Sequence, residues 1–175
     1  MLHATSVIPK GQWHEPVLDH IVLAYDDRYR RRVVLKTAKG AEILLNLVQP
    51  RVLQDGDALR LDDGGLIEVK AAWERLSEIT CADTAALVRI AWHLGNRHLP
   101  TQLIGDRLRI RADHVIVAMV QGLGADVQAI DAPFNPEGGA YGHGVVQGHA
   151  HGHAHDHAHD HAQGGHGSHG HDHSH

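Results

Sequence analysis

The apolar residues of this chain change their period near Asp83, and that change limits the chain to a fold with a β-rich part followed by a part that carries helices. From Val17 to Leu76 they come in short runs: Ile21-Val22-Leu23, Val33-Val34-Leu35, Ile43-Leu44-Leu45, Leu59 with Leu61, then Leu66-Ile67 and Val69. Turn residues fall between the runs, at Asp26-Asp27, Ala38-Lys39-Gly40, Gln54 to Asp57 and Asp62 to Gly65. Glycine supplies positive φ there, and aspartate caps the turn. The expectation is a small antiparallel β domain over residues 1–72.

Beyond that point Asp83 can cap a helix in which Ala86, Leu87, Ile90, Ala91 and Leu94 share one face, with Gly95 or Asn96 stopping it. Asp113 repeats the device for Val115, Ile116, Met119 and Val120, and Gly122 with Gly124 ends the second helix. Strand candidates lie around them at Trp73 to Ile79, Leu99 to Ile104, Leu108 to Arg111 and Asp126 to Ile130, with Gly105-Asp106 as the central hairpin turn. The order βαββαβ is the ferredoxin-like pattern, and it is expected over residues 73–141. The fold class is therefore α+β. With only 4% aromatic residues, both cores must be built from Leu, Ile, Val and Ala. Residues 142–175 are almost entirely Gly, His, Ala and Asp, which bury too little surface to offset chain entropy, so a disordered tail is expected there.

Charge and cysteine content exclude several functions. A net charge of −5 with histidine neutral argues against nucleic acid or an anionic membrane as partner. Cys81 is the single cysteine, so there is neither an internal disulfide nor a thiolate cluster. No stretch approaches the roughly 20 apolar residues of a membrane span, and residues 1–17 show no signal peptide. The expected location is the cytoplasm. A phosphate loop, a nucleophile motif and a helical His-Glu-x-x-His site are all missing, so no enzyme is expected.

Histidine carries the chemistry. Of 19 histidines, 13 lie from His143 onward, and His149, His151, His153, His155, His157, His159 and His161 occupy every second position, followed by His166, His169, His171, His173 and His175. Alternate imidazoles on a flexible chain can fold around one ion, and imidazole suits nickel, zinc, copper and iron. Asp156, Asp160 and Asp172 can accept the second ring N–H and hold the binding tautomer. The twelve from His149 could hold on the order of 3 to 6 ions.

Directed transfer needs an ordered site as well, and His98 is the candidate. It follows the break Gly95-Asn96-Arg97, where unpaired helix carbonyls favour a cation. His93, five positions earlier, lies roughly 140° around an ideal helix, so the two do not chelate one ion within a continuous helix. If the His98 turns of two chains met on a two-fold axis, two imidazoles would face one ion and His143 could complete the shell. His114, in the first turn of the second helix, is a weaker ligand candidate. His3, His14 and His20 receive no role. Cys81 reads as a small buried residue, with a secondary thiolate ligand as the alternative. Arg28, Arg30, Arg31 and Arg32 read as a solvated basic turn or a docking patch for an acidic surface.

Leu94-Gly95-Asn96-Arg97-His98, the segment Pro133 to His143 (Pro-Phe-Asn-Pro-Glu-Gly-Gly-Ala-Tyr-Gly-His) and the histidine tail together resemble the UreE-type urease accessory proteins. The likeness extends to Gln54-Asp55-Gly56-Asp57 and to Asp62-Asp63-Gly64 with Glu68 and Ala71. It implies an N-terminal peptide-binding-like β domain and a ferredoxin-like domain that forms a homodimer, with Ni2+ held between subunits at His98. It also implies transfer of nickel, in complex with the accessory GTPase of the pathway, to urease apoprotein, with His143 and the tail as further ligands or a reservoir. The chain departs from the pattern at Ala112, before Asp113-His114, where some members carry a histidine. The alternative function is storage or buffering of nickel, zinc or copper, since Zn2+ and Cu2+ suit the same imidazoles.

Overall fold

The structure is a computed structural model and describes residues 1–138. Among them, the first sheet holds β1 (Leu2–Ile8), β2 (Asp19–Leu23), β3 (Tyr29–Lys36), β4 (Glu42–Val52), β5 (Ala58–Leu61) and β6 (Leu66–Ala71), in the spatial order β2-β6-β5-β1-β4-β3. All six strands feed one apolar cluster, from Ala4 on β1 and Ile21 on β2 to Leu35 on β3, Leu45 on β4, Leu59 on β5 and Val69 on β6. Two edge strands can reach the same cluster only if the sheet curls. The turn after β3 then meets β2: the Ala38 N–H donates to the His20 carbonyl at 2.8 Å and the Lys39 N–H to the Asp19 carboxylate at 2.9 Å. A hydrogen bond from the Thr37 side chain, with those from the Lys39 and His20 N–H groups, brings the Asp19 carboxyl down to about 2.

Two expectations fail here. The sheet is mixed rather than antiparallel, since β1 runs parallel to β4 and β2 parallel to β6. Tight turns fix only neighbours along the chain, such as β3 with β4, and carry no information about crossover pairings. The strand β1 was not expected at all, yet it lies inside the sheet, between β5 and β4. Its sequence Leu-His-Ala-Thr-Ser-Val-Ile places a single fully buried side chain, Ala4, in the core, so it shows no apolar run.

The second sheet follows after Ala72. It contains β7 (Trp73–Thr80), β8 (Gln102–Ile104), β9 (Arg107–Arg111) and β10 (Asp126–Pro133), with α1 (Thr84–Gly95) after β7 and α2 (His114–Gly122) after β9. The order is β10-β7-β9-β8 and every pairing is antiparallel. Ile79 stands opposite Leu108, and these two with Ile110 form the floor on which Ile90 and Leu94 of α1 and Val120 of α2 pack. Each of these side chains removed from water contributes about 1.5–3 kcal/mol. Both helices therefore cover one face.

The opposite face carries Glu78, nearly buried, with Arg107 at 3.0 Å and Arg109 at 2.8 Å. The Arg109 hydrogen bond, opposed by burial and assisted by Arg107, holds the Glu78 carboxyl below its ordinary value of 4.5. A depressed carboxylate stabilises the fold fully above the unfolded value, and that contribution disappears as pH falls below it towards the folded value. Urea midpoints measured between neutral pH and about pH 3 should therefore fall less steeply in Glu78→Gln than in the parent chain. Equal slopes would contradict the assignment.

Candidate metal centre

Both helices start as their sequences require. The Asp83 carboxylate accepts the Ala86 N–H at 2.8 Å, and Asp113 accepts those of Val115 at 2.8 Å and Ile116 at 3.1 Å. Their ends are alike too. At the end of α2 the Ala125 N–H reaches back to the Val120 carbonyl and the Gly124 N–H to Gln121. At the end of α1 the Leu99 N–H reaches Leu94 and the His98 N–H reaches Gly95. This pair of bonds is the Schellman ending, which needs a left-handed residue at its penultimate position, usually glycine. In α2 that residue is Gly124, at φ 90°; in α1 it is His98, at φ 55°. Among the described residues His98 alone departs from glycine at positive φ, a conformation that costs an L side chain about 1–2 kcal/mol. The helix thus stops where the sequence places it, with Gly95 its last residue and Asn96 its C-cap, and His98 is the left-handed residue of the ending.

The turn displays the His98 imidazole to solvent beside helix carbonyls that favour a cation. Leu99, the next residue, packs on the cluster beneath α1 and fixes the turn. Leu99 and Pro100 share a cleft of about 400 Å³ with Asp113 and Ile116, so this turn and the start of α2 flank one opening. His114 is exposed at that start. His93 packs edge-on against Trp92, their ring centroids 5.1 Å apart, and its carbonyl accepts Arg97 Nη1. Cys81 packs against the helix core, and burial with the Asp83 and Asp126 carboxylates pushes its thiol up. His20 Nδ1 lies 3.6 Å from Asp19. Among the described residues no three histidine, cysteine or carboxylate side chains come together as a metal site. His143, the run His149 to His161, and His166, His169, His171, His173 and His175 lie outside the described residues.

The segment after β10 returns to the His98 turn. Asn135 donates its N–H to Gln102 Oε1 at 3.2 Å, and Glu137 donates to the Thr101 carbonyl at 2.9 Å, three residues after His98. Sequence reasoning also misplaced Arg28, which is fully buried rather than in a solvated turn, because its acceptors come from Phe134 and Asn135, more than a hundred residues away. Of the other three arginines, Arg30 pairs with Asp27 at 2.6 Å, while Arg31 and Arg32 are exposed.

Fold and site together define a protein of two sheets, with one exposed histidine at a left-handed helix end. The sequence agrees with the family model described as UreE urease accessory protein, N-terminal domain, over residues 2–72, and with that of the C-terminal domain over residues 74–161. The Urease accessory protein UreE of Beijerinckia indica subsp. indica is 55% identical over 141 residues, which is 81% of this chain and 82% of that protein. Its namesake in Bradyrhizobium sp. (strain ORS 278) is 56% identical over 141 residues, 81% of this chain and 67% of that one. The Rhodobacter capsulatus protein of the same name is 47% identical over 149 residues, 85% and 92% of the two chains. The chain belongs to the UreE urease accessory protein family, whose members assist urease maturation and are not enzymes. No helix among the described residues is long and apolar enough to cross a membrane.

Proposed function

We propose that this chain is a cytoplasmic nickel chaperone that binds Ni2+ at His98, across the two-fold axis of a homodimer, and passes it to urease apoprotein in complex with the accessory GTPase. The observation that carries this reading is His98 itself. A strained backbone position is kept for an imidazole where the equivalent turn of α2 uses glycine, and strain of this kind gathers at functional sites. One imidazole holds nickel weakly, so a second copy must supply another. Exposed Val88 and Trp92, one turn apart on the helix that leads to His98, offer an apolar surface for that pairing.

In this reading residues 73–141 form a ferredoxin-like domain that dimerises, and residues 1–72 bind partner proteins. Residues 142–175 are a histidine-rich reservoir, with His143 as the next ligand after His98 and His149 to His175 as weaker sites. Zn2+ and Cu2+ compete for the same nitrogens, and His114 contributes at most weakly without a histidine at position 112.

Calorimetric nickel titration tests this on three forms: full length, truncated after Ala140, and truncated with His98→Ala. Truncation should remove several weak sites and leave one tight site per dimer, which the substitution should abolish. A tight site that survives His98→Ala would overturn the reading.

A further inference from the structure

Arg30, Arg31 and Arg32 stay outside the joint that buries Arg28, and the strand pairing brings a fourth arginine to them. Arg30 lies directly opposite Arg51 of β4, whereas Arg32 lies opposite Asn46. Arg31 alone therefore faces Leu47, Val48, Gln49 and Pro50, four residues against one. The surplus leaves the ladder as a bulge. Leu47 remains in the core, while Val48 is 88% exposed, with Gln49 and Pro50 exposed beside it. β3 is also an edge of its sheet, so among the described residues no further strand pairs over this corner.

Such a corner costs the fold. Like charges directly opposite one another on a ladder repel, and Arg30 has one carboxylate, Asp27, to offset the repulsion from Arg51. Among the described residues Arg31, Arg32 and Arg51 form no ion pair. Guarding a sheet edge against aggregation needs little charge, and exposed Lys36 already supplies some at the far end of β3. Arginines around an apolar tip go beyond that need. Their planar forks grip carboxylates by two bonds at a time, which lysine does not do. A nucleic acid fits less well, because the chain as a whole carries a net charge of −5 and repels a long polyanion.

We infer that this corner of the first sheet docks an acidic protein surface, whose carboxylates meet Arg30, Arg31, Arg32 and Arg51 and whose apolar part receives Val48. An exposed apolar residue ringed by arginines has the composition of a protein interface rather than of open surface. Docking would also relieve the repulsion between Arg30 and Arg51, so that part of the binding energy is stored in the free fold. The inference rests on the reading that residues 1–72 bind partner proteins, and it is independent of the nickel site.

The test uses the full chain, freed of metal and held above the histidine pKa so that imidazoles neither carry charge nor bridge to the probe. A fluorescent peptide of repeated Glu-Glu-Leu is the probe, and its Gln-Gln-Leu counterpart is the control. The parent chain should bind the first and not the second, with an affinity that falls as salt rises. Arg31→Glu with Arg32→Glu should weaken binding at least about tenfold and flatten the salt dependence. Val48→Ser should weaken it about threefold and leave the salt dependence as it was. Arg51→Glu sets a carboxylate opposite Arg30, so it should raise the urea midpoint while lowering peptide affinity, the reverse of a residue kept for the fold.

A parent chain that ignores the peptide overturns the inference, as do variants that bind it like the parent or an Arg51→Glu chain less stable than the parent. Tighter binding of a single-stranded oligonucleotide than of the peptide overturns it too. Urease apoprotein with the accessory GTPase then tests the reading beneath. If the parent and the Arg31→Glu, Arg32→Glu chain capture that complex equally, the inference falls and the reading survives. If neither captures it while the peptide still distinguishes them, the assigned partner is wrong and the docking corner stands.

Discussion

Replacing His98 with glycine is expected to make the folded chain more stable and, in the same step, to remove the tight nickel site proposed for it. Glycine adopts the left-handed region without the roughly 1–2 kcal/mol that an L side chain incurs, and the corresponding turn of α2 already uses it at Gly124. Part of this gain is offset because glycine has more freedom to lose on folding, leaving a net gain of about 0.5–1 kcal/mol. Nothing else in the turn changes, because the bonds from Leu99 to Leu94 and from residue 98 to Gly95 are made by backbone atoms. In the proposed dimer the metal would lose one imidazole from each copy. Changes to groups that merely support a ligand weaken a metal 10–100-fold, so removal of the ligand should exceed about 100-fold. Urea denaturation and nickel calorimetry on the form truncated after Ala140 would show the two effects moving in opposite directions. A less stable His98→Gly chain, or one that still binds nickel tightly, would mean that the histidine is there for the fold.

The second large effect concerns the joint between the sheets. Phe134 is 0% exposed, clusters with Leu76 and Ala132, and meets the Tyr25 ring edge-on at 5.4 Å. Tyr25 comes from the turn between β2 and β3, so this small cluster is built from both halves of the chain. Its backbone N–H donates to Glu74 at 2.8 Å, and Arg111 pairs with Asp26 at 2.6 Å across the same joint. Phe134→Ala should cost about 3–5 kcal/mol, combining lost transfer energy with a cavity that the surrounding strands cannot collapse to fill. Because the lost contacts join two cores, heating should resolve two transitions by calorimetry where the parent chain should show one. A single transition, destabilised by less than about 1 kcal/mol, would show that the sheets are coupled through other contacts.

How much of this could be read from the sequence depended on how local each signal was. The caps Asp83 and Asp113 and the apolar faces of α1 and α2 were legible because capping and helical period involve residues within a few positions of one another. The runs at Ile21, Val33, Ile43 and Leu66 were legible for the same reason. β1 was not, since its place depends on partners near Leu45 and Leu61 rather than on its own side chains. Arg28 looked like one of four surface arginines, and only the return of Phe134 and Asn135 makes it an interior residue. His98 was found as a candidate ligand from its place after a helix break. Its backbone conformation was not found, because the left-handed position that follows a helix end is usually a glycine.

The interior place of β1 also bears on how the first sheet comes into being. Leu2 and Ala4 are made well before their neighbours, Ile43 and Leu45 on one side and Leu61 on the other. The hairpin of β3 with β4 and that of β5 with β6 can each form from their own turns, whereas β1 bridges them by pairing with β4 and β5. The surface of the first sheet is therefore continuous only once β1 lies between two strands that follow it in the chain.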